Sequence, residues 1–210
     1  MNHPYLIMFD YDGVIVDSLD VFANAFLWSC HASGYDGITT REQFKALLDG
    51  NFYESLKQNG LSRKLINLIL GEGFTREVER HLHEIVLFDG VVGLLDSLSA
   101  RHVLMVITSN ASNVVQQFFD REKINCFESV LGVEVEKSKV KKIEKAKSIH
   151  PARPAFYVGD TRGDILEGRQ AGATTIAVTW GWHNEEKLRE AKPDYMVHTP
   201  VELLNLFEII

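Results

Sequence analysis

An α/β protein, built on a doubly wound and mostly parallel sheet with an inserted α-helical segment, is the fold class this sequence predicts. Three observations predict it. Short, continuous apolar runs recur along the chain, segments of helical period separate most of them, and after the first run a stretch of about 70 residues shows helical periods alone.

Residues 5–9 are apolar throughout, the composition of a strand buried on both faces, and the run ends abruptly at Asp10. Similar runs occupy residues 103–107, 129–133, 155–158 and 174–178, with a weaker one at 195–197, which makes six candidate strands. Between them, Leu94, Leu95 and Leu98, then Val114, Val115, Phe118 and Phe119, then Val140, Ile143 and Ala146, then Ile165 and Leu166 repeat with helical spacing. Such alternation means βαβ units, hence parallel strands with helices on both faces. Between Asp17 and Phe88 no run reads as a strand. Leu19, Phe22 and Phe26 mark one amphipathic helix, and Val78, Leu82 and Ile85 mark another, with Thr75 as its expected N-cap. The expected organisation is a core from residues 1–16 and 87–210 and a helical cap from residues 17–86, with hinges at the crossings near Ile15 and Phe88.

A chain of 210 residues with 45% apolar composition can bury a sizeable core without metal or disulfide staples. Twenty-nine acidic against twenty-two basic residues give a net charge of −7, the wrong sign for general attraction to nucleic acid or an anionic membrane. The first apolar run is too short for a signal sequence or a membrane span, and a cytoplasmic protein is expected. Cys30 and Cys126, far apart and without CxxC partners, read as small hydrophobes in a reducing compartment.

Ligands of parallel α/β sheets bind at the carboxyl ends of the strands, so the residues after each run are the informative ones. The first run is followed by Asp10-Tyr11-Asp12-Gly13-Val14, the second by Thr108-Ser109-Asn110, and the fourth by Gly159-Asp160-Thr161-Arg162-Gly163-Asp164. Aspartate and glycine are common after strands as turn residues, but two acidic clusters at one sheet edge exceed what turns require. Four carboxylates in one crevice repel one another unless a cation lies between them. Hard oxygen donors without His or Cys favour Mg²⁺, which usually shares its coordination shell with substrate phosphate oxygens.

These motifs resemble those of the haloacid dehalogenase superfamily of phosphohydrolases along the whole chain. Residues 10–14 resemble its nucleophile strand, residues 106–110 its hydroxyl motif, Lys137 or Lys139 its lysine, and residues 159–164 its metal motif. Asp17-Ser18 and residues 88–91 resemble the borders of its small helical cap. Residues 172–181 with Pro193-Asp194 resemble its phosphoglycolate phosphatase-like branch. The resemblance implies a Rossmann-like core and a Mg²⁺-dependent phosphatase that hydrolyses a small phosphorylated metabolite, with phosphoglycolate the first guess. It also implies roles. Asp10 would attack phosphorus and form an aspartyl-phosphate; Asp12 would act as general acid and base; Asp10, Asp12 through its carbonyl, Asp160 and Asp164 would surround the metal. Thr108, Ser109, Asn110 and the lysine would bind the phosphoryl group. Lys137 is the preferred lysine, because Ile143 and Ala146 follow it by six and nine residues as in the family motif. Lys139 is the second candidate, and Ser138 stands where the motif usually has proline.

Other features take plainer readings. The Lys137–Lys147 stretch reads mostly as a solvated helix face, His81 and His83 as surface residues, and Gly71-Glu72-Gly73 as a helix stop and turn. Trp180, Trp182 and His183 follow the fifth run and are candidates for a crevice wall. The loop starting at Asp49 is the candidate for contact with the leaving group. Two rival functions share the scaffold: a phosphoglucomutase-like phosphotransferase, and a catalytically silent binding protein.

Overall fold

The computed structural model describes residues 4–210. All six expected strands form, in one parallel sheet. They are β1 (Leu6–Phe9), β4 (Val103–Ile107), β5 (Ser129–Leu131), β6 (Ala155–Gly159), β7 (Thr174–Val178) and β8 (Tyr195–Val197), in the order β5-β4-β1-β6-β7-β8. The chain runs outward from β1 to β4 and β5, then returns to β6 on the other side of β1. The strand order therefore reverses at β1, where a doubly wound sheet opens a crevice at its carboxyl edge. Phe9 is in register with both Val106 and Val158, so Asp10, Thr108 and Asp160 emerge together at that edge.

Strand pleating divides the core between two layers. Ile7, Phe9, Val106 and Val158 face one layer, which α6 (Val91–Ser99), α7 (Ser112–Glu122) and α11 (Pro200–Ile209) cover with Leu94, Leu98, Val115, Phe119, Leu203 and Phe207. Leu6, Met8, Met105 and Tyr157 face the other, covered by Ile143 and Ala146 of α8 (Lys139–Ile149). Two further helices, α9 (Arg162–Gln170) and α10 (Glu185–Glu190), pack through Ile165 and Leu188 against Ala177 of β7.

Between Leu19 and His81 lie five helices: α1 (Leu19–Ala32), α2 (Arg41–Ala46), α3 (Phe52–Gln58), α4 (Arg63–Ile69) and α5 (Glu72–His81). Thr40, Asn51 and Ser62 cap α2, α3 and α4 by accepting hydrogen bonds from backbone N–H groups three residues on. Phe26, Phe44, Leu56 and Ile69 form a second apolar cluster among these helices, and Trp182 reaches into it from the loop after β7. Two expectations need correction. Gly71, not Thr75, is the N-cap residue of α5, and Thr75 lies inside the helix, its hydroxyl donating to the Gly71 carbonyl. The stretch between Asp17 and Phe88 is not free of strands, for the crossings into and out of the helical segment meet. They pair as short antiparallel strands, β2 (Val16–Asp17) and β3 (Val86–Leu87).

The far side of the segment is fastened by polar contacts to α9, α10 and the loop after β7. Lys187 pairs with Asp49 at 2.8 Å, Asn51 donates to Glu167 at 3.0 Å, and Arg162 donates to the Asp49 carbonyl. His183 accepts the Arg162 N–H at Nδ1 (3.0 Å), which leaves Nε2–H to donate to the Lys45 carbonyl (3.1 Å). A side chain at Gly163 would meet the Gly50 carbonyl oxygen at 2.6 Å, so glycine is what lets the two backbones approach.

Candidate active site

Asp10, the first residue beyond β1, is 5% exposed, and Lys139 donates to its Oδ2 at 2.7 Å. The same ammonium donates to Asp164 Oδ1 at 2.6 Å. Lys139 is the first residue of α8, behind the N-cap Ser138 that replaces the expected proline. Its side chain thus enters the crevice from the helix start. Lys137, preferred from the sequence, stands elsewhere: its ammonium lies over the Tyr53 ring, 5.5 Å from the centroid. The physical reason is helical phase. Lys139, Ile143 and Ala146 are four and then three residues apart and share the face that α8 turns to the sheet, whereas Lys137 precedes the helix.

Asp164 is fixed by local structure. Thr161 and Asp164 form a reciprocal capping box at the start of α9, and the Tyr157 hydroxyl adds a donor at 3.1 Å. Burial works against its charge, but Lys139 and the Thr161 and Tyr157 donors hold its carboxyl below the usual range. Asp160, fully buried after β6, accepts the Trp182 N–H at Oδ2 (2.6 Å), while Oδ1 is buried without a hydrogen-bond partner. Side chains at Gly13 or Gly181 would collide with this carboxyl group, and Gly13 adopts φ +76°. Both glycines are therefore required for the loops to close around Asp160.

Oxygens of Asp10, Asp160 and Asp164 lie within 4.8 Å of one another. Burial and mutual repulsion push the carboxyl groups of Asp10 and Asp160 well up, with Lys139 only partly offsetting this. An orphaned oxygen among crowded carboxylates is unstable unless a proton or cation satisfies it, and the all-oxygen donor set fits a hard divalent ion.

Asp12 is held apart from that cluster. Ser18 donates to its Oδ1 and Asn110 to its Oδ2, each at 2.7 Å. Burial pushes its carboxyl up to about 6, against the effect of the Ser18, Lys139 and Asn110 contacts. Asn110 is thus engaged in orienting Asp12. Thr108 is fully buried, its hydroxyl accepting the Asn110 N–H at 3.0 Å, whereas Ser109 is exposed and faces the cavity.

One residue was missed by the sequence reading. Lys142, far from being part of a solvated face, is fully buried and donates to the Thr108 carbonyl. Burial, and then the Lys139 charge, lowers its ammonium to about 8. Lys142 falls three residues after Lys139 on the same inward face, and that spacing was the available signal. Lys147, in the same stretch, donates to the Ala171 and Gly172 carbonyls, each at 2.7 Å. His81, as expected, lies at the surface, paired with Glu84 at 2.7 Å.

A cavity of about 340 Å³ opens above Asp10, Asp12, Lys139 and Asp164, bounded by Ser109, Asn110 and Thr161 below and by α1, α2, α3, α5 and Trp182 above. From the loop that begins at Asp49, Phe52 and Tyr53 face this cavity, while Asp49 and Asn51 face α10 and α9.

The site is thus an acidic, lysine-braced crevice at the switch point of a doubly wound sheet, roofed by an inserted helical segment. The haloacid dehalogenase-like hydrolase family matches residues 7–178, and the chain belongs to that family. It is 32% identical over 208 residues to a phosphoglycolate phosphatase of Synechococcus elongatus, with 94% of each chain covered. It is 24% identical over 213 residues to a pyrophosphatase PpaX of Anoxybacillus flavithermus, covering 97% of this chain and 96% of that one. Among solved structures, a haloacid dehalogenase-like hydrolase from Streptococcus pneumoniae superposes with a TM-score of 0.82 at 27% identity, covering 99% of this chain and all of the other.

Proposed function

We propose that this protein is a Mg²⁺-dependent phosphatase that hydrolyses a small phosphomonoester by way of an aspartyl-phosphate on Asp10. The observation that carries this reading is the pairing of two carboxyl groups in distinct environments at one cavity floor. Asp10 is buried beside Lys139, and Asp12 is oriented by Ser18 and Asn110. An Asp10 oxygen attacks phosphorus, the bond to the leaving oxygen breaks, and Asp12 gives that oxygen a proton. Water then attacks phosphorus as Asp12 takes a proton from the water, the bond between the Asp10 oxygen and phosphorus breaks, and inorganic phosphate leaves with Asp10 restored. Lys139 and the backbone around Thr108 to Asn110 stabilise the charge on the transferring group. Asp10, Asp160 and Asp164 would hold Mg²⁺, which when bound neutralises carboxylate and phosphate charge and so keeps Asp10 ionised for attack.

The helical segment acts in this scheme as a cap that keeps water from the floor. The negative net charge opposes nucleic-acid and anionic-membrane partners, and among the described residues no helix is long and apolar enough to cross a membrane. Two free cysteines, one of them fully buried, suit a cytoplasmic protein. Turnover of an aryl phosphate with and without Mg²⁺ tests the reading. Activity should require the metal and vanish in Asp10→Asn, a nearly isosteric change; turnover that survives either removal contradicts it.

A further inference from the structure

The floor of the cavity reads a phosphoryl group, and its roof must read whatever the phosphoryl group is attached to. That roof is built of aromatic side chains: the half-buried Phe22 of α1, Phe52 of α3 and Phe74 of α5 bound the cavity, backed by the buried rings of Phe26 of α1, Phe44 of α2 and Trp182 from the loop after β7. They form one continuous surface. Phe26 contacts Phe44 and Phe52 at centroid distances of 5.3 and 5.9 Å, and Trp182 contacts Phe44 and Phe22 at 6.0 and 6.4 Å. Leu48, Leu70, Val78 and Leu82 complete it.

Charge is distributed just as unevenly. Of the lysines and arginines among the described residues, Lys139 alone lines this cavity, and it is committed at the floor to Asp10 and Asp164. The charged group nearer the mouth is an acid, Glu79. No cation of the helical segment lines the cavity, and several are paired at the surface: Arg41 with Asp20 and Lys57 with Glu54, both at 2.6 Å, and Arg76 with Glu72 and Arg80 with Glu77, both at 2.7 Å. Arg121 borders a neighbouring cavity of about 200 Å³, but its guanidinium pairs with Glu122, donates to the Ile85 carbonyl and stacks on Phe118. A leaving group that carries its own carboxylate or second phosphate would thus bring an anion among aromatic rings where no lysine or arginine besides Lys139 lines the cavity, Lys137 lying behind the Tyr53 ring rather than on the wall. Such burial is strongly unfavourable. An uncharged ring or branched chain would instead bury apolar surface on both sides. At roughly 30 Å³ of liquid per water the space equals about eleven waters, room for a phosphoryl group with a ring beyond it.

We propose that the physiological substrate is the phosphomonoester of an uncharged, apolar alcohol about the size of an aromatic ring, rather than phosphoglycolate or pyrophosphate. The inference rests on the phosphatase reading above, for it takes the acidic floor as the phosphoryl site. A matched pair of non-hydrolysable ligands separates the two claims. Benzylphosphonate and phosphonoacetate differ only in carrying a phenyl or a carboxylate group on the same methylene phosphonate, and their binding to the full chain with Mg²⁺ is measured by calorimetry beside turnover of benzyl phosphate and phosphoglycolate. Benzylphosphonate is expected to bind at least tenfold tighter, and benzyl phosphate to show at least a tenfold higher kcat/KM. Thr75→Lys, at an exposed position lining the cavity, should narrow the binding ratio several-fold by admitting the acid. Phosphonoacetate binding as tightly as benzylphosphonate overturns the apolar-alcohol assignment, and so does a binding ratio that Thr75→Lys leaves unchanged. Binding in the expected order without turnover of either ester overturns the phosphatase reading instead.

Discussion

The floor and the roof of the cavity are built by opposite means. At the floor, Asp10, Thr108 and Asp160 leave neighbouring parallel strands at one level, and the capping box of α9 and the first residue of α8 add Asp164 and Lys139. Every one of these positions follows from a strand end or a helix start. At the roof, the rings of Phe22, Phe26, Phe44 and Phe52 come from three separate helices and meet only because those helices pack together. The floor is polar and locally determined, whereas the roof is apolar and determined by tertiary packing. Such an arrangement lets the alcohol specificity change without disturbing the phosphoryl chemistry.

Removing the lysine that braces the floor should do the greatest damage. Lys139→Met leaves Asp10 and Asp164 buried without their shared cation, and loss of one partner of a buried pair costs about 3–5 kcal/mol of stability. Lys137→Met removes only a contact with the Tyr53 ring and should cost no more than about 1 kcal/mol. Denaturant unfolding of the two variants ranks them, and equal losses would remove the distinction drawn here between the two lysines.

Lys142 supports the floor from beneath, and its contribution should appear as a pH dependence. Burial lowers its folded-state pKa to about 8, below the 10.5 of an ordinary lysine. Between those values the unfolded chain holds the extra proton, so stability rises with pH across this window; below about 8 the cost of the buried charge is fully present. Wild type should gain on the order of 3 kcal/mol relative to Lys142→Met as pH rises from 8 to 10.5. A constant difference across that range would show that this ammonium is not desolvated.

Substitution at the roof should be milder and selective. Phe52→Ala removes a half-buried ring from the cavity wall and should lower kcat/KM for benzyl phosphate about tenfold, while methyl phosphate, too small to reach the ring, changes little. Parallel losses on both esters would mean that floor and roof are coupled.

The same contrast explains what could be read in advance. Six apolar runs gave six strands, because a parallel strand buried on both faces needs no partner information to be recognised. Asp10 and Asp160 were legible because each directly follows a strand, Asp164 because it lies in the first turn of the next helix, and Asp12 because it stands two residues beyond Asp10. Counting from Lys137 found the apolar positions of α8 but not its start, and a shift of two residues was enough to prefer the lysine that lies over the Tyr53 ring to the one that contacts Asp10. Lys142 was hidden because a lysine-rich segment looks solvated until its inward face is known. The β2–β3 pair was invisible since two-residue strands carry no periodicity, and only the return of the chain pairs Val16 with Leu87. Of the roof, only Trp182, a candidate crevice wall, and Phe52, at the end of the loop that starts at Asp49, were singled out; the other rings start at Phe22, and nothing in their spacing announces a shared surface.

The claim on which all of this depends is that Asp10 carries the phosphoryl group. Acid quenching during turnover of benzyl phosphate with Mg²⁺, followed by peptide mass analysis, tests it directly. The account predicts the mass of one phosphoryl group on the peptide containing Asp10, localised to that residue and absent from Asp10→Asn. Phosphorylation found at another residue, or undiminished in Asp10→Asn, would contradict it.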